Sequence, residues 1–362
     1  MEITAEKVLE ALRNVDDPDL KKDIVTLGMV RDLTVEGNKV NFTVVLTTPA
    51  CPMKEMIHKA CYNAVKHFVS QDAEVAITMT ADVTSRRGNN NPLLPGVKNI
   101  IAISSGKGGV GKSTVASNLA VALSLLGAKV GLVDADIYGP SIPIMFDVTD
   151  EKPAIRQVDG KNMMIPVESY GVKVLSIGFF AEAAQAVVWR GPMASKALQQ
   201  MFSDADWGEL DYLLIDLPPG TGDIHLSLVQ SVPLTGAIVV STPQLVALAD
   251  AHKGVNMFKM PAINVPVLGI IENMAYFSPP ELPDNKYYIF GKDGAKQLAE
   301  RIGVDILGEV PLVENIRKAG DVGHPAVLET GSLQSKVFLE IAGKVAQKAA
   351  IINAEKNILA SA

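Results

Sequence analysis

The chain has 362 residues, is 48% hydrophobic and carries a formal net charge of −7. That length and apolar content support a large core divided over two domains, and the acidic balance argues against a general nucleic-acid surface. Its two cysteines fit a reducing compartment, and no uncharged apolar stretch is long enough to span a bilayer. At the N-terminus, Met1-Glu2-Ile3-Thr4-Ala5-Glu6-Lys7 lacks the basic region and apolar core of a secretory leader. A soluble, cytoplasmic protein with neither nucleic acid nor membrane as partner is expected.

A helix is predicted from Ala5 to Val15, with Val8, Leu9, Leu12 and Val15 at the spacing of one buried face. A turn at Asp16-Asp17-Pro18 follows. A strand from Val40 to Thr47 leads through Pro49-Ala50-Cys51-Pro52 into a helix from Met53 to Val69, and a last strand spans Val75 to Thr80. Residues 1–84 thus read as a small α/β domain. Residues 85–98, rich in Asn, Pro and Gly, read as a linker.

From 99 to 362, apolar strands alternate with helices: Ile100–Ile103, Val130–Val133, Lys173–Ile177, Leu213–Ile215, Gly236–Val240 and Val267–Ile271. Such alternation predicts a doubly wound, mostly parallel sheet with helices on both faces. Ile306–Pro311 adds an edge strand and loop, and Leu333–Ala350 a terminal helix with Val337, Phe338, Ile341 and Val345 on one side.

Between the first strand and its helix lies Gly106-Lys107-Gly108-Gly109-Val110-Gly111-Lys112-Ser113-Thr114, a phosphate loop. Glycines let successive backbone N–H groups face anionic oxygens. The helix N-terminus adds partial positive charge, Lys112 a full one, and the Ser113 hydroxyl can bind Mg²⁺. ATP and Mg²⁺ are the expected cofactors. Lys107 is a second cation that an ordinary phosphate loop does not need, and its alternative is a solvated loop lysine. Asp134 and Asp136 close one strand, and Asp216 closes another before Leu217-Pro218-Pro219-Gly220-Thr221-Gly222-Asp223. Carboxylates at strand ends line the ligand crevice of such sheets, although an aspartate there also serves as a cap or turn former.

Gly-Lys-Gly-Gly-Val-Gly-Lys-Ser resembles the deviant phosphate loop of MinD/ParA-type ATPases. That resemblance implies a homodimer in which Lys107 reaches the nucleotide of the facing subunit. It implies Asp136 as the water-orienting residue and Asp216 as a Mg²⁺-side residue acting through water. It also places Asn273 as an adenine reader, with a simple turn asparagine as the alternative. The Asp16-Asp17-Pro18 turn and Thr47-Thr48-Pro49-Ala50-Cys51-Pro52 resemble the small domain of iron–sulfur assembly factors. Leu94–Lys98, Asp134–Ser141, Trp189–Met193 and Asp216–Asp223 resemble the Mrp/ApbC iron–sulfur cluster carrier ATPases, a likeness covering nearly the whole chain. It implies an ATP-hydrolysing homodimer that delivers a labile cluster to apoproteins alongside assembly factors.

One departure stands out. Carriers of this family that bridge a cluster hold a Cys-x-x-Cys pair shortly after a Glu-Asn-Met segment. Here Glu272-Asn273-Met274 continues to Ser278-Pro279-Pro280-Glu281-Leu282-Pro283-Asp284, and no cysteine follows Cys61. Cys51 is left as the candidate cluster ligand, since a helix starting at Pro52 would lower its thiol's pKa. An inert small residue is the alternative there, and packing is the reading for Cys61. Two other functions stay open: a cluster-free adaptor in iron–sulfur assembly, and a MinD/ParA-type positioning ATPase. The latter needs a membrane-seeking helix or a basic face, and neither is evident.

Overall fold

The computed structural model describes residues 3–85, 93–158, 160–180, 191–279, 281–282 and 285–360. The described residues form two compact units, Met1–Arg86 with Ala346–Ala362, and Arg87–Val345. Half of the expected linker, residues 86–92, lies outside the described residues, as do Trp189 and Arg190.

In the small unit, α1 (Ala5–Leu12) is capped by the Thr4 hydroxyl, which accepts from the Lys7 N–H at 3.4 Å. The two-residue strands β1 (Asp16–Asp17) and β2 (Lys22–Asp23) pair across the Asp-Asp-Pro turn. A three-stranded sheet follows, with β3 (Val30–Glu36) antiparallel to β4 (Lys39–Leu46) and β5 (Glu74–Ala81) parallel to β4. The parallel pair needs a crossover, and α2 (Lys54–Phe68) supplies it. Val40, Phe42, Val44 and Leu46 alternate inward along β4 and pack with Val8, Leu12, Ile57, Cys61 and Val65. Strand β3 is absent from the sequence-based expectation because its inward residues are only half-buried, which blurs the alternation.

The larger unit is built on an eight-stranded sheet. Its elements in chain order are β6 (Val97–Ser104), α3 (Lys112–Leu125), β7 (Val130–Asp134), α4 (Ile142–Met145) and the hairpin β8 (Ala154–Val158)–β9 (Lys161–Ile165). Next come β10 (Val167–Ser169), β11 (Val172–Ser176), α5 (Gly191–Ser203), β12 (Leu210–Asp216) and α6 (Asp223–Ser231). The rest are β13 (Gly236–Ser241), α7 (Leu245–Lys259), β14 (Val267–Glu272), α8 (Gly294–Ile302), β15 (Ile306–Glu309), α9 (Glu314–Asp321) and α10 (Leu333–Ala360). The sheet order is β10-β11-β7-β12-β6-β13-β14-β15, parallel except at the β10 edge. Every residue of β7 and β13 is buried, as expected of strands covered on both faces. Chain order departs in opposite directions on either side of β6, which places the ligand crevice at its carboxyl end.

Two boundaries differ from the sequence reading. Strand β6 starts at Val97 inside the expected linker, because Val97 pairs with Leu210 and Lys98 forms an ion pair with Asp211 at 3.2 Å. Helix α10 runs ten residues past Ala350, through a stretch without glycine or proline. The larger compact unit ends at Val345, within the expected 99–362 span. From Ala346 the helix groups with the small unit, where Gln347 donates to Asp19 and Asn353 Nδ2 donates to the Thr84 carbonyl at 2.8 Å.

Candidate functional site

The phosphate loop joins β6 to α3. Gly111 caps α3 at φ +80°, and a side chain there would overlap Asn273 Nδ2. One on Gly106 would run into the Asp250 backbone of α7. The loop is thus wedged between α7 and the residue after β14. Gly108 and Gly109 are exposed, with open space beside Gly109. Among the described residues, the backbone N–H groups from Lys107 to Thr114 have no protein acceptor. Such donors at a helix N-terminus suit phosphate oxygens.

Strand ends bring the charged residues together. Asp216 of β12 registers with Asp134 of β7 on one side and Ile103 of β6 on the other. Lys112, buried at the start of α3, places Nζ 2.7 Å from Asp216 Oδ1 and 3.4 Å from Asp136 Oδ2. Ser113 Oγ donates to Asp216 Oδ2 at 2.6 Å. Burial raises the Asp216 pKa, while the charge and hydrogen bond of Lys112 and the Ser113 hydroxyl pull it back. Burial and the neighbouring Asp216 charge push Asp134 up to about 7, against the opposing hydrogen bond of Ser176.

Two carboxylates therefore sit against one ammonium, with the Asp134 carboxyl group beside Asp216. A polyphosphate brought to this site would meet net negative charge unless a divalent cation came with it. The Ser113 hydroxyl and Asp216 carboxylate, hard oxygens side by side, are the donor set that Mg²⁺ takes. The residues fit Mg²⁺ with a nucleotide.

The other expected residues are placed as follows. Lys107 is exposed, and its carbonyl accepts from Ser105 Oγ at 3.0 Å. The Thr114 carbonyl accepts from Asn118 Nδ2 at 2.8 Å, and Asn118 Oδ1 in turn accepts from the Val327 N–H at 2.9 Å. Asn273 is buried and donates through Nδ2 to the Val110 carbonyl at 2.8 Å, so its amide braces the phosphate loop. Two further residues escape sequence reasoning. Ser176 ends β11 opposite Asp134. His225, on α6, is 1% exposed and sets Nδ1 3.2 Å from the Pro218 carbonyl. Burial, reinforced by the Lys112 charge, lowers the His225 pKa to about 4, and Nε2 has no partner among the described residues. A polar residue closing an apolar strand is the available signal for Ser176, whereas nothing local marks His225.

Cys51 differs from expectation. Helix α2 begins at Lys54, three residues on, and the half-buried thiol has its pKa raised. Burial is the largest cause. The Met53 and Lys54 N–H groups pull the value down, but Asp19 and Asp17 push it further up. The expected helix effect exists and is outweighed. Cys61 packs in the small core, its thiol pushed up to about 12 by burial. Among the described residues, no group of three or more His, Cys, Asp or Glu side chains is arranged to hold a metal ion. Asp284 lies outside the described residues.

Comparison with known proteins follows the same division of the chain. Residues 96–346 match the family described as NUBPL iron-transfer P-loop NTPase, and residues 5–80 match the iron-sulfur cluster assembly protein family. An iron-sulfur cluster carrier protein of Synechocystis sp. is 46% identical over 348 residues, covering 96% of this chain and 98% of its own. The iron-sulfur cluster transfer protein NUBPL of Mus musculus is 43% identical over 286 residues, covering 78% of this chain and 88% of its own. Among solved structures, an ADP-bound nucleotide-binding protein from Archaeoglobus fulgidus is 39% identical, with a TM-score of 0.57, over 65% of this chain and 90% of its own. As the motif resemblance implies, the chain belongs to the NUBPL iron-transfer P-loop NTPase family.

Proposed function

We propose that the chain is a Mg²⁺-dependent ATPase that works as a homodimer, binds an iron–sulfur cluster and hands it to apoproteins. The observation that carries the ATPase half is the contact of Lys112 and Ser113 with Asp216 beneath an open loop of unpartnered N–H groups. The delivery half is supported by relatives named as cluster carriers across 96% of the chain.

Mg²⁺, when bound, supplies charge neutralisation at the transferred phosphoryl group. The loop N–H groups and Lys112 hold the phosphates, with Lys112 exchanging part of its ion pairing for them. Ser113 and Asp216 hold the cation side. Asp136, 3.4 Å from Lys112, orients the attacking water. Exposed Lys107 is free to extend from one copy toward the nucleotide of the other and counter charge that builds in the transition state. Asn273 positions the loop through Val110, and a direct adenine contact is not needed to explain it. We place this activity in the cytoplasm. Among the described residues, no helix is long and apolar enough to cross a membrane.

The cluster is cargo, and Cys51 of two chains is the thiolate source this reading assigns. Thiolates are the usual ligands, and a metal displaces the proton that burial otherwise retains. A second reading, a cluster-free adaptor driven by ATP, is favoured by the absence of any cysteine after Cys61 and by the raised Cys51 pKa. Anaerobic reconstitution with iron and sulfide separates them. Bound iron and sulfide in wild type, lost in Cys51→Ala with ATP turnover intact, is the expected result. No cluster in either protein establishes the adaptor instead.

A further inference from the structure

Asp134 and Ser176 are register partners at the carboxyl ends of β7 and β11, and both are fully buried. The Asp134 carboxylate gathers three donors. The Asp136 N–H reaches Oδ1 at 3.2 Å, the Ile142 N–H reaches Oδ2 at 3.2 Å, and Ser176 Oγ donates to Oδ2 at 2.8 Å. The first two donors flank the loop from Asp136 to Ser141, so one buried carboxyl group pins both of its ends. The Ser176 oxygen also accepts from the Gly178 N–H at 3.0 Å, which fixes the hydroxyl's orientation. Gly178 backs onto the far end of the loop, where an added Cβ would come within 3.1 Å of Pro140. The loop's other business is to present Asp136 to Lys112.

We propose that Ser176 is a positioning residue for ATP hydrolysis, acting through Asp134 to fix the loop that carries Asp136 against the phosphate loop. The proposal rests on the ATPase reading above and adds to it a residue from a strand that carries none of the phosphate-binding motif. Losing the hydroxyl leaves a sealed carboxylate one donor short. The site relieves this by admitting water or a proton, and either one weakens the grip on the Ile142 N–H. Among the described residues, no hydrogen bond links the phosphate loop to Ser176 or Asp134, so nucleotide affinity should be spared.

The test uses the full chain with Ser176→Ala, Ser176→Thr and Ser176→Cys, read by Mg·ATP turnover and by amide hydrogen exchange without nucleotide. The Ala variant should lose about tenfold or more in kcat, the scale of one hydrogen bond to a charged group, with KM within about twofold. Exchange at Asp136 and Ile142 should accelerate. The Thr variant keeps the hydroxyl and should recover both readouts. Should Ala fail to fold, Cys preserves the packing with a weak donor and should show the same kcat loss. Wild-type kcat or unchanged exchange in Ala and Cys overturns the proposal, as does a joint fall of kcat and KM that Thr does not rescue. A wild-type chain without Mg·ATP turnover overturns the ATPase reading instead, and exchange then still decides whether Ser176 holds the loop.

Discussion

Lys112 in the larger unit and Cys51 in the small one are both ionisable groups withdrawn from water, and their neighbours treat them in opposite ways. Lys112 is 5% exposed but sits 2.7 Å from one carboxylate and 3.4 Å from another. Cys51 is half-buried, and the charges of Asp19 and Asp17 add to burial in opposing its ionisation. Burial alone favours the neutral form, and a charge persists inside only where an opposite one lies within hydrogen-bond distance. His225 shows that this is a matter of partners and not of the unit. It lies in the larger unit itself, and burial, reinforced by the Lys112 charge, lowers its pKa and favours the neutral ring. The Lys112 cluster is therefore paired as charge before any ligand arrives, while a Cys51 thiolate would need a metal to take its proton.

The sharpest way to break this contrast is Lys112→Ala. It removes the ammonium from between two carboxylates, and phosphate release should fall to background; turnover near the wild-type rate would mean the loop holds no nucleotide phosphate. A smaller effect concerns Cys51. Its alkylation by iodoacetamide at pH 7.5 should be markedly slower than that of glutathione, and should go on rising with pH after glutathione has levelled off. Cys61, its thiol pushed up to about 12, should react only on unfolding. Fast Cys51 labelling at neutral pH would mean that the helix start outweighs burial after all.

The smallest effect is on stability. His225 has an ordinary pKa of 6.5 when unfolded and about 4 when folded. Between those values the unfolded chain binds the extra proton, so this contribution is complete above pH 6.5 and is lost as pH falls through 4. His225→Gln does not titrate. Compared by denaturant titration at pH 7.5 and 4.5, wild type should lose on the order of 2–3 kcal/mol more than the variant. Equal losses would mean that the imidazole protonates freely in the fold.

The nucleotide side is readable in the sequence because its chemistry is local. Gly106 to Thr114 is one contiguous run, Asp134 and Asp216 each end an apolar strand, and Asp136 lies two residues past the first. What escapes depends on distant contact. Ser176 matters through a residue forty-two positions away, and His225 through burial that its own helix does not announce, while the contact of Asn273 with the Val110 carbonyl is likewise invisible in the chain. Cys51 departs from expectation for the same reason. The helix start after Pro52 is visible in the chain, but the burial that outweighs it comes from packing. The hairpin β8–β9 is hidden because its strands are mostly exposed or half-buried and carry no inward alternation. The tail of α10 reads as part of the ATPase domain because no sequence signal reports which unit a helix joins.

Sedimentation velocity with Mg²⁺ and a non-hydrolysable ATP analogue tests the account most directly, since Lys107 has a role only if a second copy closes over the nucleotide. A two-chain species that forms with the analogue, disperses on its removal and is missing in Lys112→Ala is the predicted result. Single chains at every concentration, with the analogue demonstrably bound, would contradict it.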